Sequence, residues 1–439
     1  MADYKWVNTT LGLLFDDGIA SVQTGPFGSQ LHSYDYVEQG VRVVSTEAIG
    51  FRRLKVEMMP QISSVMADRL KRHRLHTGDI LFARRGAQAT GLSALVESEH
   101  EGFICSTGAL RLRIHRPDRV DPSFLSFLLV EESSRLWLKA HAVGAVMPNL
   151  NEDVIRGLPI SLPSHEEQRA IAQMLGALDD KIELNRRMNQ TLEALARAMF
   201  KSWFVDFDPV VAKAAGKKPV GMSAQTAALF PDCFQDSTLG PIPKGWLVAR
   251  VGDEFRLTMG QSPPGGTYNE EGNGAPFFQG RTDFTFRFPA RRVYCTAPTR
   301  FADPQDTLVS VRAPVGDINM AIERCAVGRG VAGVRHKSGS RSFTYYAMGA
   351  FADAFATFDG DGTLFGSIGK TDFEGIQYVS PPDELICRFN TTARPLDDRI
   401  EQNERQSAWL ASLRDALLPQ LMSGELRVKQ AEKLVAQAV

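Results

Sequence analysis

The amino-acid sequence predicts an α+β fold in which two sheet-rich domains are separated by a long antiparallel two-helix coiled coil. The first reason is a repeated phrase: "LDDKIELNRR" begins at Leu178 and "LDDRIEQNER" at Leu396, so the copies lie 396 − 178 = 218 residues apart. The second is that both phrases lie in apolar patterns with the alternating three- and four-residue steps of a coiled coil. The third is that the chain before each phrase is rich in Gly, Pro, β-branched and aromatic residues, which is typical of short strands and turns.

The repeated phrase belongs to an internal duplication. The match extends without a gap from Gly157 on Gly375 to Leu195 on Leu413. Upstream it continues with small gaps, since "GDILFARRG" resembles "QDTLVSVRA" and "GALRLR" resembles "GVAGVR". Each half is about 200 residues long, which is far longer than a solenoid repeat. The duplication therefore predicts two similar halves related by a pseudo-two-fold axis.

The same features divide the chain into segments. A chain of 439 residues is too long for one ordinary core. Ser164, followed by Glu167 three residues later, is a capping-box signature that marks the start of the first long helix. The predicted segments are a sheet-rich domain at 1–162, a spacer helix at 163–207, a linker at 208–243, a second sheet-rich domain at 244–379, a second spacer helix at 380–424 and a tail at 425–439.

Each spacer helix carries one apolar seam. A helix of roughly 38 residues is about 55 Å long, longer than a small domain, so we expect the seams to pair with each other. Asn185 and Asn403 occupy the same slot, where a buried Asn fixes the register of the pair, and Arg414 interrupts the second seam. The residues predicted to pair the helices are Ile171, Leu175, Leu178, Ile182, Asn185, Leu192, Leu396, Ile400, Asn403, Leu410 and Leu417.

The composition is that of a globular protein. Hydrophobic residues make up 43% of the chain and charged residues 23%, and the five cysteines form no CxxC pair. There is no apolar run of roughly 18 residues and no signal-peptide core at the N-terminus, so we expect a cytoplasmic protein with no membrane segment. The net charge of −1 gives no electrostatic indication of nucleic-acid binding, which usually appears as a basic domain.

Three stretches carry a resemblance to a known family. "LPSHEEQRAIAQMLGALDDKIELNRRMNQTLEALARAMFKSWFVDFDPV" (Leu162 to Val210) is similar to the central region of specificity subunits of type I restriction–modification systems. "LGPIPKGW" (Leu239 to Trp246) resembles the phrase that opens their second target-recognition domain. "LRDALLPQLMSGELRV" resembles their C-terminal ending, and the resemblance covers the whole chain in the same order.

This resemblance implies a function for each part of the chain. Two target-recognition domains would each read one half of a split, asymmetric sequence in double-stranded DNA. The paired helices would set the gap between the half-sites and dock two methyltransferase subunits, which methylate adenine. A restriction subunit, a nuclease–translocase, would join them for ATP-dependent cutting. S-Adenosylmethionine, ATP and Mg are then expected on the partner subunits, and no cofactor is expected on this chain.

A search for catalytic motifs favours a non-catalytic subunit. "GSIGKT" (Gly366 to Thr371) ends like a phosphate-binding loop, but Leu364 stands where that pattern needs Gly. The eight histidines show no HExxH spacing and no metal-ligand pattern. The adjacent carboxylates Asp179–Asp180 and Asp397–Asp398 point to different faces of a helix, so we expect them to be solvated or in contact with a partner.

We expect the base-reading side chains on the loops that follow the duplicated strands, because those loops differ between the halves as two half-sites require. Arg, Asn, Gln, Lys, Ser and Thr are the side chains that read base edges. The alternative for any one residue is an exposed charge or a phosphate contact without sequence information. Arg52, Arg53, Lys71, Arg72 and Arg74 are expected at most to clamp phosphates. The predicted DNA-binding residues are Ser45, Thr46, Arg84, Arg85, Gln88, Thr90, Gln279, Arg281, Thr282 and Arg312.

Two other functions fit parts of the pattern. One is a specificity component of a different bipartite restriction enzyme, whose partner carries methylation and cutting in one chain. The other is a protein scaffold that presents subunits along a coiled coil without binding DNA. Because the near-neutral charge neutralises few phosphates, we expect the isolated chain to bind DNA weakly and its partners to supply much of the affinity.

Overall fold

The structure is a computed structural model, and it describes residues 6–26, 30–86, 89–144, 148–360 and 366–438. The chain divides into two compact units. Unit 1 consists of residues 1–184 and 406–439, and unit 2 consists of residues 185–405. Among the described residues, no helix combines the length and the apolar character needed to cross a bilayer.

Short strands and helices alternate through the first half of the chain. The strands are β1 (Val7–Thr10), β2 (Ala20–Thr24), β3 (Tyr36–Val37), β4 (Val41–Val44), β5 (Gln61–Ile62), β6 (Ile80–Ala83), β7 (Ser93–Leu95), β8 (Ile104–Cys105), β9 (Ala109–Ile114) and β10 (Pro159–Leu162). The helices are α1 (Leu11–Asp16), α2 (Ser64–Arg69), α3 (Pro122–Val130), α4 (Glu132–His141), α5 (Glu152–Gly157) and α6 (His165–Phe204).

The second half repeats this order after a linker. Its helices are α7 (Asp208–Ala214), α8 (Ala224–Ala228), α9 (Val251–Glu254), α10 (Arg341–Ala350), α11 (Ala352–Ala356), α12 (Lys370–Gly375) and α13 (Asp383–Met422), with α14 (Val428–Ala438) following in unit 1. Its strands are β11 (Phe234–Gln235), β12 (Ile242–Pro243), β13 (Leu247–Arg250), β14 (Phe255–Met259), β15 (Tyr268–Asn269), β16 (Ala275–Phe278), β17 (Tyr294–Cys295), β18 (Phe301–Ala302), β19 (Thr307–Ser310), β20 (Ile318–Met320), β21 (Cys325–Val327), β22 (Val331–His336) and β23 (Gln377–Ser380).

The sheets of the two units correspond, except that the third sheet of unit 2 has an additional strand, β18. Unit 1 has sheets of order β1-β10, β2-β9-β6-β7 and β3-β5-β4-β8. Unit 2 has sheets of order β13-β23, β14-β22-β19-β20 and β15-β17-β16-β21-β18, besides the β11-β12 pair of the linker. Among the named strands of the described residues, β4 pairs in parallel with β8 and β16 in parallel with β21, and the other strand pairs are antiparallel. The predicted α+β fold with its internal duplication is therefore confirmed.

Each long helix starts where the sequence signals it and packs into the core. The Ser164 hydroxyl accepts the N–H of Glu167 at 3.3 Å, which satisfies one free donor of the first turn of α6. The Glu167 carboxylate does not complete a capping box in this structure; it pairs with Arg427 at 3.0 Å. In unit 1, Leu175 of α6 and Leu417 of α13 lie in one apolar cluster with the sheet of β6 and β9.

The second unit is built in the same way from the other ends of the helices. Phe200 near the end of α6 and Phe389 near the start of α13 lie in one apolar cluster, with ring centroids 5.5 Å apart. Glu193 of α6 and Asp397 of α13 both form ion pairs with Arg287, and Asn185 of α6 is hydrogen-bonded to Asn403 of α13. The residue that comes later in α6 therefore lies near the residue that comes earlier in α13, so the two helices run antiparallel here.

A buried polar layer interrupts the apolar seam of the helix pair in unit 2. The Asn185 amide donates to the Asn403 carbonyl at 3.5 Å, and the Asn403 amide donates to Asn189 Oδ1 at 2.8 Å. The Asn189 amide donates in turn to Glu404 Oε1 at 2.7 Å, and burial raises the pKa of the Glu404 carboxyl. All three asparagines are 0–1% exposed. These bonds form only in one register, because a one-turn slip leaves buried amides without partners.

The positions predicted to pair the helices are distributed as follows. Those 6% exposed or less are Ile171, Leu175, Leu178, Asn185, Ile400, Asn403, Leu410 and Leu417. Those half-buried are Ile182, Leu192 and Leu396. Arg414, which breaks the second seam, forms an ion pair with Asp179 of α6 at 2.7 Å.

Replacing Asn403 with Ala is expected to lower the free energy of unfolding by about 1–3 kcal/mol, because Oδ1 of the buried Asn189 loses its donor. The matched control is Gln402→Ala, which removes an exposed amide at the neighbouring position of α13. Urea denaturation of the full chain, followed by circular dichroism, measures both. Equal midpoints for the two variants would show that the buried amides do not stabilise the helix pair.

Candidate nucleic-acid interface

In unit 1 two sheets meet at Gly108, the residue before β9. The Thr46 hydroxyl, two residues after β4, donates to the Gly108 carbonyl at 3.2 Å. The N–H of Arg84, directly after β6, donates to the same oxygen at 2.9 Å. A Cβ on Gly108 would lie 2.1 Å from Thr46 Oγ1, so this approach requires glycine. The loops after β4 and β6 therefore leave their sheets at one place.

Unit 2 has the same junction at Gly330, the residue before β22. Its N–H donates at 3.1 Å to the carbonyl of Gln279, directly after β16. Its carbonyl accepts at 2.9 Å from the N–H of Val311, directly after β19. A Cβ on Gly330 would lie 2.5 Å from the Gln279 oxygen. The loops that carry the predicted DNA-binding residues are thus brought together in each unit.

Arg84 and Arg85 differ in their surroundings. Arg84 is half-buried, and its Nε donates to Asn149 Oδ1 at 3.1 Å. Burial lowers the pKa of the Arg84 guanidinium, and the neighbouring charge of Arg85 adds to this effect. Arg85 is exposed, while its backbone pairs antiparallel with that of Asn149. An exposed guanidinium on a fixed backbone can present its fork of donors to a base edge or a phosphate.

Arg312 is the counterpart of Arg85. It is exposed, and its backbone pairs antiparallel with Ser367, which lies 367 − 149 = 218 residues after Asn149. Gln279, Arg281 and Thr282 are also exposed at this junction. Arg281 forms an ion pair with Asp317 of the loop after β19, which links the two loops. Each unit therefore has a surface of donors around an exposed arginine, Arg85 or Arg312, with different neighbours.

The remaining predicted DNA-binding residues are Ser45, Thr90 and Gln88. Ser45 is half-buried and its hydroxyl donates to the Met58 carbonyl at 3.2 Å. Thr90 is 1% exposed and its hydroxyl donates to the Gly86 carbonyl at 2.7 Å, so it holds the loop and presents no donor outward. Gln88 lies outside the described residues.

The basic segment after α2 packs onto the same sheet. Arg111 of β9 donates from Nη1 to the carbonyls of Arg72 and Arg74, at 3.2 and 3.0 Å. Burial lowers the pKa of His73, and the charges of Arg111 and Arg72 lower it further. Lys71 and Arg72 are exposed. The clustered positive charge is suited to phosphate contacts.

The expectation that Arg52 contacts phosphates is wrong. Its side chain is 4% exposed, because its guanidinium is held by Asp179, Ser126 and Ser123. The solvated alternative for the first acid of each duplicated pair is also wrong, since Asp179 and Asp397 are 4% and 3% exposed. Both carboxylates are buried acceptors of arginine ion pairs.

Sequence reasoning missed Asn149 and Ser367. Asn149 lies in the phrase "PNLNED" and Ser367 in the phrase "GSIGKT", and the two phrases are related by the same offset of 218 residues. The signal that could have identified them is that each phrase precedes an equivalent short helix, α5 or α12. In the structure each phrase supplies the third loop of its junction.

The sequence is similar to those of known proteins. Residues 44–194 match the family described as type I restriction modification DNA specificity domain. A Methanocaldococcus jannaschii protein provisionally named as the MjaX type I restriction enzyme specificity subunit is 28% identical over 396 residues, which cover 89% of this chain and 88% of that protein. The HindI type I restriction enzyme specificity subunit of Haemophilus influenzae is 25% identical over 410 residues, with 80% and 86% covered.

A solved structure supports the fold. The crystal structure of a type I restriction–modification system S subunit from M. genitalium matches with a TM-score of 0.58. Its sequence is 15% identical, and the match covers 96% of this chain and 97% of that one.

The duplicated surfaces carry side chains of the types that read DNA bases. The chain is similar over most of its length to specificity subunits of type I restriction–modification systems. Subunits of this kind are generally non-catalytic and act with other subunits of a restriction–modification complex.

Replacing Gly108 with Ala is expected to lower the free energy of unfolding by about 1–3 kcal/mol, because the new Cβ collides with Thr46 Oγ1. The double variant Thr46→Ala with Gly108→Ala removes that oxygen and should recover part of the loss. Gly176→Ala is the control, since a Cβ there meets no atom within 4 Å. Thermal denaturation of the full chain measures all three. A Gly108→Ala variant as stable as Gly176→Ala would contradict the close approach at the junction.

Proposed function

We propose that the chain reads a bipartite, asymmetric DNA site with one sheet-rich domain per half-site and docks two methyltransferase subunits on its long helices. The observation that carries this proposal is the pair of equivalent junctions, with Arg85 exposed at one and Arg312 exposed at the other. An arginine fork that bonds guanine O6 and N7 is the commonest specific contact in the major groove.

The different neighbours of the two arginines support different half-sites. Arg85 follows a second arginine and pairs with Asn149, whereas Arg312 follows Val311 and pairs with Ser367. Asn favours adenine, and Ser is tolerant of several bases. Two similar domains that carry different base-contacting residues suit an asymmetric DNA site, whereas two identical domains would suit a palindromic site.

The exposed faces of the helices support docking of partner subunits. Leu184 and Leu195 of α6 are 53% and 56% exposed, and Trp409 of α13 is 38% exposed. Large apolar side chains that are exposed on a helix favour contact with a partner.

In this function the chain contributes sequence choice and no chemistry. S-Adenosylmethionine for methylation, and ATP and Mg for restriction, are bound by the methyltransferase and the restriction–translocase subunits. Because the net charge is −1, the isolated chain binds its site weakly and the partners supply most phosphate contacts. A partner that combines methylation and cutting in one chain would instead place the protein in another class of bipartite restriction enzyme.

Arg85→Ala is expected to relax base preference in one half-site, and Arg312→Ala in the other. Loss of one bidentate contact costs about 1–3 kcal/mol of discrimination, or about 10- to 100-fold. The measurement is the methylation rate of duplexes carrying single base changes in each half-site, with the chain in complex with its methyltransferase subunits.

The controls are Arg116→Ala and Lys337→Ala, which remove cations beyond the far ends of β9 and β22. Both pair with nearby acids, Asp118 and Glu254, and should leave base preference unchanged. If Arg85→Ala and Arg312→Ala relaxed the same half-site, or slowed methylation of every duplex equally, the assignment of one domain per half-site would fail.

Leu195→Asp is expected to weaken association of the methyltransferase by about 10- to 100-fold, because burial of one Leu side chain contributes about 1.5–3 kcal/mol. Ala194→Asp, which adds the same charge at an exposed neighbouring position of α6, is the matched control. Co-purification and titration by calorimetry measure the association. A complex unaffected by Leu195→Asp would exclude this face of α6 from the docking surface.

A further inference from the structure

A buried arginine joins each sheet-rich domain to a long helix, and the two arginines are equivalent. Arg52 lies 52 − 44 = 8 residues after β4, and Arg287 lies 287 − 278 = 9 residues after β16. The Arg52 guanidinium carbon lies 3.8 Å from the ring centroid of Phe127 on α3. The Arg287 guanidinium carbon lies 3.9 Å from that of Tyr345 on α10. The same contact has thus been kept in both copies of the duplication.

In unit 1 the guanidinium of Arg52 is bonded through all three of its nitrogens. Nη1 donates to Asp179 Oδ2 at 3.0 Å, Nε to Ser126 Oγ at 3.1 Å and Nη2 to Ser123 Oγ at 3.0 Å. The backbone of Arg52 has a φ of 64°, a conformation that residues other than glycine rarely adopt. Asp179 accepts a second arginine, Arg414 of α13, at 2.7 Å. One carboxylate therefore ties the domain and both helices together within unit 1.

In unit 2 the equivalent buried arginine, Arg287, has a different set of partners. Arg287 donates from Nη1 to Asp397 at 3.0 Å and from Nη2 to Glu193 at 3.3 Å. Tyr346 also contacts both ions, since its hydroxyl donates to Asp397 at 2.8 Å and accepts from Arg287 at 3.1 Å. Burial acts to lower the pKa of Arg287, which is 1% exposed, but the neighbouring tyrosines and carboxylates raise it overall.

These contacts explain the two acids of the repeated Leu-Asp-Asp phrase. The first acid, Asp179 or Asp397, is buried against the arginine described above. The second acid is more exposed and pairs with another arginine of the domain: Asp180 with Arg53 and Asp398 with Arg341. The Leu-Asp-Asp phrase therefore forms ion pairs with two arginines of the domain, and each unit contains one such phrase.

A buried, bonded guanidinium restricts orientation more than apolar packing does. Arg stays charged, and its planar fork is satisfied only when its acceptors lie in fixed directions. A rotation of the domain on the helix leaves a buried charge unpaired, which is strongly unfavourable. Apolar surfaces tolerate small rotations, because their attraction has no direction. The ion pair selects one angle between domain and helix.

We propose that Arg52 and Arg287 are positioning residues that fix the angle of each recognition domain on its helix, and that this angle sets the spacer length at which the complex methylates DNA. The proposal rests on the bipartite function proposed above. Neither arginine touches DNA, so its replacement should alter spacer discrimination and leave base preference within each half-site unchanged.

The first test measures the angle in the full-length chain. Spin labels are placed at Val65 on α2 and Glu166 on α6, two exposed positions of unit 1, after Cys233 and Cys387 are replaced by Ser. Arg52→Lys keeps the charge but reaches fewer acceptors, so it should broaden the distance distribution at least about 2-fold. Arg116→Lys, which alters an exposed pair, should leave the width unchanged.

The second test measures methylation by the complex on duplexes with the native spacer and with one base pair added or removed. Arg52→Lys should raise methylation of off-length duplexes, relative to the native length, at least about 5-fold. Arg287→Lys should do the same through unit 2. If Arg52→Lys does not fold, Ser126→Ala removes one acceptor without leaving an unpaired charge and replaces it in both tests.

The outcomes separate the inference from the function on which it rests. A wild-type complex that methylates no split site overturns both. A wild-type complex that methylates a split site, with Arg52→Lys keeping the wild-type distance width or spacer discrimination, overturns the positioning role alone. An equal loss of methylation at every spacer length would assign the arginine to folding stability and would likewise overturn it.

Discussion

The antiparallel pairing of α6 with α13 is the constraint on which the rest of the structure depends. In unit 1 the apolar core contains Leu175 from one helix and Leu417 from the other, and in unit 2 it contains Phe200 and Phe389. Each core is therefore completed by a segment distant in sequence. Unit 1 is built from two separate stretches, residues 1–184 and 406–439, and the core of unit 2 joins the two ends of residues 185–405, so domain folding and helix pairing stabilise each other.

The polar groups buried along this pair give it specificity at a cost in desolvation. The amides of Asn185, Asn189 and Asn403 are bonded to groups on the facing helix, which fixes register. Asp179 is buried between Arg52 and Arg414. Apolar residues in these places would pack at least as favourably. What the polar groups add is a single arrangement, which the bipartite function proposed above requires.

Much of the fold could be predicted because the sequence contains an internal duplication. Helical periodicity, capping and the offset of 218 residues predicted both long helices and their antiparallel pairing. The role of the acidic pairs could not be predicted, since adjacent carboxylates on a helix are ordinarily solvated and their arginine partners lie 127 and 110 residues away. Long-range partners of this kind have no local pattern.

The candidate surface was predictable in part for the same reason. The loops after the duplicated strands could be located from the repeat, and Arg85 and Arg312 are exposed there. Burial of Thr90 and the contact of Asn149 with Arg84 depend on how a third loop folds back, which composition does not encode. Glycines at 108 and 330 carry the clearest local signal, because only glycine allows the two sheets to meet so closely.

The most direct test of the central claim is a map of methylated adenines in genomic DNA from cells that express the chain with its methyltransferase subunits. The expected result is one split, asymmetric motif, with methyladenine in both halves and a spacer of fixed length between them. A continuous or palindromic motif would contradict the reading of two half-sites by two different domains. A stable complex that leaves no methylated motif at all would contradict the assignment of DNA recognition to this pair of surfaces.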